Sequence, residues 1–217
     1  MNYNGYLITL EGNDGSGKTT QIELLKSKMI ETYGDRVVFA REPGGSRIAE
    51  QIREIIMSKD NMGLCPTTEL LLYEAARAQF CNDFLIPALV DGKVVVCDRF
   101  YDSTYAYQGC GRGLNLNTIQ TLNTFAVGHE IKPNLTIWLK VNPKIGNKRR
   151  ADAGDANRMD IQAECFYQAV EDGYQCLAEK NKRFVSIQPQ SIEDTHKEIW
   201  KITSKKTKTF ITKKKEG

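Results

Sequence analysis

Gly12-Asn13-Asp14-Gly15-Ser16-Gly17-Lys18-Thr19 follows a short apolar run, Tyr6 to Leu10, and leads into Lys18 to Tyr33, where Ile22, Leu25 and Met29 recur at helical spacing. The octad meets every fixed position of G-x-x-x-x-G-K-[ST], and its flanks supply the strand before and the helix after that this pattern requires. Glycines let the turn bring backbone N–H groups around a polyphosphate where side chains would be too bulky, and the helix N-terminus adds a favourable dipole. Lys18 is placed to reach the β and γ phosphates, and Thr19 to set a hydroxyl on Mg²⁺. The loop residues Gly12 to Thr20 are therefore the expected ATP site: Gly12, Asn13, Asp14, Gly15, Ser16, Gly17, Lys18, Thr19 and Thr20.

Outward from this turn, short β-rich runs alternate with longer stretches of helical periodicity. The runs are Tyr6 to Leu10, Val37 to Ala40, Lys93 to Asp98, Leu135 to Val141 and Phe184 to Ile187. Ile48, Ile52, Ile55 and Ile56 mark the stripe of a second helix. Strands alternating with helical crossovers predict an α/β fold of the P-loop NTPase type, a three-layer arrangement with a five-stranded parallel sheet flanked by helices. The 217 residues suit one domain, expected over 1–203.

The formal charge of +3 is unevenly placed. Residues 204–217 hold six lysines against one glutamate, a net of +5, so residues 1–203 carry −2. The lysine-rich end reads as an exposed, flexible tail. Six cysteines without a CxxC pair, and only His129 and His196, fit neither a zinc site nor a disulfide framework. The start lacks a basic segment followed by a long apolar run, and no apolar stretch approaches the ~20 residues of a membrane span, so a cytoplasmic protein without membrane association is expected.

A P-loop alone does not separate kinases from other nucleotide hydrolases. The Asn-Lys-x-Asp segment of a GTPase is missing, since Asn147-Lys148-Arg149-Arg150 and Asn181-Lys182-Arg183-Phe184 both lack the aspartate. Val94 to Asp98 is an apolar strand ending in a carboxylate, which is what a Walker B position supplies to Mg²⁺, and Arg99 follows it.

Several motifs stand in a fixed order: Gly12 to Thr19, Arg41-Glu42-Pro43-Gly44-Gly45, Leu72-Tyr73-Glu74-Ala75-Ala76-Arg77, Asp98-Arg99-Phe100, Ser103, Ala106-Tyr107-Gln108-Gly109 and Asn157-Arg158-Met159-Asp160. Together they resemble the motif set of bacterial thymidylate kinases, from about Tyr6 to Trp200. The resemblance implies transfer of the γ-phosphoryl of Mg²⁺·ATP to dTMP, giving dTDP and ADP, by a homodimer. It implies that Tyr73 stacks on thymine while Arg77 reads its edge, and that Thr104 and Gln108 add base contacts. Tyr107 falls near the sugar C2′ and Asp14 near the 3′-hydroxyl. Arg53 and Arg99 match the phosphate-holding arginines, Glu42 a carboxylate that helps position Arg53, and Ser103 completes the dTMP set. Thr19 and Asp98 are the expected Mg²⁺ residues.

Phosphoryl transfer asks for alignment, charge neutralisation and exclusion of water, which a mobile lid provides. Residues 146–159 have that makeup, with small residues between arginines, and Arg149 and Arg158 match the family's lid positions. With Lys18 and Arg99 they form the expected catalytic set. Two other readings stay open: a kinase for a deoxynucleoside or a different monophosphate, and a P-loop protein whose lysine-rich end binds nucleic acid. The acidic body disfavours the second.

Overall fold

The computed structural model describes residues 3–153, 157–159 and 162–216. A five-stranded parallel sheet in the order β2-β3-β1-β4-β5 forms its centre. The strands are β1 (Tyr6–Glu11), β2 (Val37–Arg41), β3 (Val94–Asp98), β4 (Leu135–Leu139) and β5 (Phe184–Ile187). Side-chain alternation divides the core into two faces. Leu7, Val95 and Cys97 pack with Ala49 of α2 (Arg47–Met57), Ala76 and Phe80 of α3 (Pro66–Phe80) and Leu89 of α4 (Ile86–Val90). Ile8, Leu10, Val94 and Val96 pack instead with Ile22, Leu25 and Met29 of α1 (Lys18–Tyr33) and with Ile199.

Parallel register decides where the chemistry sits. Leu10 of β1 stands beside Asp98 of β3, so the turn that begins at Gly12 and the Asp98-Arg99 pair emerge together at the carboxyl edge. The chain leaves β1 past β3 to reach β2 and returns past β1 to reach β4, which opens a crevice between neighbouring strand ends. Around it stand α5 (Tyr101–Thr104), a π-helical turn Tyr105–Gly111, α6 (Leu116–Val127), α7 (Pro143–Ala153) and α8 (Glu164–Lys180). A third apolar cluster, with Trp138, Tyr107, Phe166, Tyr167 and Tyr174, joins α8 to this turn.

One expectation is corrected. The end of the chain is no loose tail: α9 spans Ile192–Glu216. Thr203 and Thr207 are fully buried, and Phe210 packs on Tyr6 with ring centroids 5.3 Å apart. The spacing Ile199, Thr203, Thr207, Phe210 keeps one face of the helix against the sheet, while Lys205, Lys206 and Lys208 face out. The segment expected as a flexible lid begins as helix α7, because Pro143 suits a first helical turn and Asn142 Oδ1 accepts the Lys144 N–H at 2.9 Å. Residues 154–156 of that segment, and Asp160, lie outside the described residues.

Candidate active site

One cavity of about 840 Å³ opens at the carboxyl edge of the sheet. Asp14, Gly15, Gly17, Lys18, Thr19 and Thr20 line it, with Asp98, Arg99 and Arg149. Its other end is formed by Glu42, Arg53, Tyr73, Arg77, Ser103, Thr104, Tyr107 and Gln108. Gly12, Asn13 and Ser16 are not on its wall. Gly12 is pinned from behind, since a Cβ there would lie 2.6 Å from the Leu139 carbonyl oxygen, and its φ of +141° suits glycine.

Lys18 is 6% exposed, and its ammonium donates to the carbonyls of Gly12 (2.8 Å) and Asn13 (3.1 Å). Burial, then the Arg99 guanidinium, push its pKa down to about 8. Bound phosphate would reverse that by supplying counter-charge. Arg99 has φ +66°, a left-handed conformation that costs a non-glycine residue about 1–3 kcal/mol and is kept where surrounding contacts over-determine it. Those contacts are present. Its Nη2 donates to Asp14 Oδ1 (2.6 Å) and the Tyr107 hydroxyl (3.1 Å), and its Nη1 to Ser103 Oγ (3.1 Å) and the Tyr174 hydroxyl (3.3 Å). Burial alone would raise the Asp14 pKa, yet Arg99 and Lys18 hold it at about 2.

Two residues that the motifs do not single out hold this arrangement together: Glu11 and Tyr174. Fully buried Glu11 accepts the Phe100 N–H (2.8 Å), the Ser103 hydroxyl (2.6 Å) and the Tyr174 hydroxyl (2.9 Å). It thereby fixes both the backbone beside Arg99 and two of the oxygens that Arg99 contacts. Burial and the Asp102 carboxylate push Glu11 up to about 7. A carboxylate ending an otherwise apolar strand is the one signal in the sequence that could have found it.

The acceptor end differs in one respect from expectation. Glu42 does not hold Arg53; it accepts from Arg77 Nε at 2.8 Å, and Arg53 Nη1 donates to the Pro43 carbonyl at 2.8 Å. Arg77 is 2% exposed, and its Nη1 donates to Glu74 and Asn123, both at 2.9 Å. Its Nη2 makes no hydrogen bond among the described residues, which leaves an edge for a ligand. Buried Thr104 Oγ1 likewise has no partner. Tyr73 faces the cavity from the turn of α3 before Arg77.

Arg158 is the other arginine expected of the lid. Its Nε donates to the Ile56 carbonyl at 2.8 Å, and its Nη2 pairs with Glu69 at 2.7 Å, a carboxylate that also receives Arg112 and Gln108. At 2% exposure Arg158 anchors the end of the segment to α2 and α3. Arg149 does reach that loop, its Nη1 donating to the Gly15 carbonyl at 3.2 Å.

Behind the loop, Asn13 donates to Glu171 Oε2 at 2.8 Å. Burial, with Asp172 adding to it and Lys140 opposing, pushes the Glu171 carboxyl from 4.5 up to about 7. A carboxyl raised in the fold holds a proton that the unfolded chain releases near pH 4.5, so its stabilising contribution is full below that pH and is lost as pH rises through 7. Glu171→Gln is expected to raise stability by about 1–2 kcal/mol at pH 8 and leave it unchanged at about pH 4.5, read from urea denaturation at both values.

A family model described as thymidylate kinase matches residues 10–199. Curated thymidylate kinases are similar over most of their length. That of Geotalea uraniireducens is 45% identical over 203 residues, covering 90% of this chain and 94% of the relative. That of Clostridium novyi is 43% identical over 178 residues, covering 81% and 86%. A crystal structure of thymidylate kinase from Ehrlichia chaffeensis superposes with a TM-score of 0.75 at 35% identity, over 92% of this chain and 98% of that one. Parallel sheet, phosphate loop and sequence similarity agree, and the chain belongs to the thymidylate kinase family.

Proposed function

We propose that this chain transfers the γ-phosphoryl group of ATP to dTMP, giving ADP and dTDP, in a cytoplasmic supply of dTTP. The observation that carries the reading is that one cavity is lined both by the phosphate loop and by Arg53, Tyr73, Arg77 and Thr104. Donor and acceptor can therefore meet inside one water-poor space. Lys18 and Arg149 flank the donor phosphates, while Arg53 and Arg99 neutralise the acceptor phosphate so that two anions can approach. Tyr73 offers a flat face to a base, with Arg77 Nη2 and Thr104 Oγ1 as hydrogen-bonding groups beside it. The Asp14–Tyr107 pair, with hydroxyl and carboxylate 3.0 Å apart, walls the sugar.

Mg²⁺ fits the residues present. Thr19 and Asp98 both line the cavity, and the buried Asp98 Oδ1 has no hydrogen-bond partner among the described residues, a hard oxygen of the kind this ion takes. When bound, Mg²⁺ neutralises charge on the β and γ phosphates. Purified protein assayed against a panel of nucleosides and monophosphates is expected to use dTMP best; a better acceptor removes the reading.

The same reading makes the chain a homodimer. Ile48 and Ile55 on α2, Leu71 on α3 and Phe125 on α6 are exposed apolar side chains, Phe125 at 87%. Packed helices carrying such side chains are a natural contact face. Sedimentation equilibrium is expected to give twice the 24.5 kDa chain mass, and a monomer at assay concentration rejects this part.

A further inference from the structure

Two cysteines outside the phosphate site stand where α8 crosses the π-helical turn Tyr105–Gly111. At Gly173 of α8 a methyl group would lie 2.9 Å from Cys110 Sγ and 3.1 Å from the Ala106 Cα, so the missing side chain lets the two backbones come together. Cys176 lies three residues further along α8 and therefore on the same face. Its sulfur sits close enough to Lys180 to raise the ammonium's pKa, and it adds to burial in raising the Tyr105 hydroxyl and the Cys110 thiol. Both cysteines are half-buried, within reach of a small solute. Cys81 and Cys97 also neighbour one another, but they are 1% and 0% exposed, and burial pushes their thiols up, away from the reactive thiolate. Cys65 and Cys165 are exposed.

We propose that Cys110 and Cys176 form a redox-active dithiol that a hydroperoxide converts into an intramolecular disulfide. Cys176 is the attacking thiol, because the Lys180 ammonium beside its sulfur faces the negative charge that attack requires. Its sulfur bonds to the distal peroxide oxygen, the O–O bond breaks, and the other oxygen leaves as water or alcohol with the thiol proton. Cys110, whose thiol is raised by burial and by Cys176 and Asp172, then attacks the sulfenic acid. The S–S bond forms, the S–O bond breaks, and water leaves with the Cys110 proton. Two thiols lose two electrons and the peroxide gains them. The bridge ties the turn bearing Tyr107 and Gln108 to the helix bearing Tyr174, so it restrains the acceptor wall.

The test uses the full chain, treated with hydrogen peroxide, denatured, alkylated with iodoacetamide and mapped by mass spectrometry. The expected result is one cross-linked peptide pair joining Cys110 to Cys176, with the other four cysteines alkylated. Turnover should fall several-fold and return with dithiothreitol. C110S and C176S are expected to retain activity and to form no bridge. Alkylation of both residues after oxidation, or a bridge elsewhere, overturns the proposal. A bridged protein with unaltered turnover overturns its coupling to the acceptor wall.

Discussion

Replacing Arg99 by alanine is expected to lower kcat by roughly 10²–10³-fold, the cost typical of losing one preorganised charge at a transferring phosphoryl group. The reason is geometric as well as electrostatic. Arg99 lines the cavity together with Lys18 and Arg53, and its guanidinium is held by Asp14, Ser103, Tyr107 and Tyr174 in a backbone conformation that is itself strained. Such a group does not reorganise as charge moves. Arg99→Lys should recover little, because one ammonium cannot satisfy four partners in the fork geometry of a guanidinium. Equilibrium binding of ATP, which also rests on the loop N–H groups and Lys18, should weaken far less than turnover falls. A variant with near-normal kcat would take Arg99 out of the chemistry.

Arg77→Met is expected to cost about 3–5 kcal/mol of stability, the usual penalty for breaking a buried ion pair from one side. In a chain of this size that lowers Tm by roughly 6–20 °C. Met fills similar space but leaves Glu42 and Glu74, with side chains 3% and 7% exposed, without their cation. Burial already pushes Glu42 up to about 7 against the pull of Arg77, so without Arg77 its pKa lies higher still. Sign follows from that: between about pH 4.5 and 7 Glu42 is protonated in both folded proteins and costs each the same, so its contribution to the variant's extra loss grows as pH rises through 7 and disappears below it. Adding Glu42→Gln should return part of the loss, a coupling that urea denaturation of the four proteins of the cycle measures. Stability within about 1 kcal/mol of the parent would mean the triad contributes little.

The two arginines differ in how far their roles could be read from the chain. Arg99 follows Asp98 at the end of an apolar strand, and the phosphate loop follows another, so a parallel sheet brings both to one edge. That inference needs only strand patterns and one contiguous octad. Lys18 to Tyr33 and Phe184 to Ile187 are bounded in the fold as their periodicity predicts, because those bounds depend on local spacing. Beyond Glu74 one turn earlier, the partners of Arg77 come instead from positions 35 and 46 residues away, and no local pattern encodes those two pairings.

Contacts distant along the chain also decided where Arg158 and the lysine-rich end lie. Arg158 has the residue type and position of a lid arginine, yet the buried carboxylate of Glu69, 89 positions earlier, takes its guanidinium. The lysine-rich end has the composition of a tail, but Tyr6 and the sheet cover one face of it. Sequence by itself determined the sheet, the phosphate loop and the arginines at the strand ends, since periodicity and turn chemistry act over a few residues. Tertiary structure alone decided which charges face the cavity and which are spent on one another, because a buried charge takes its partner from whatever the fold brings within hydrogen-bond distance.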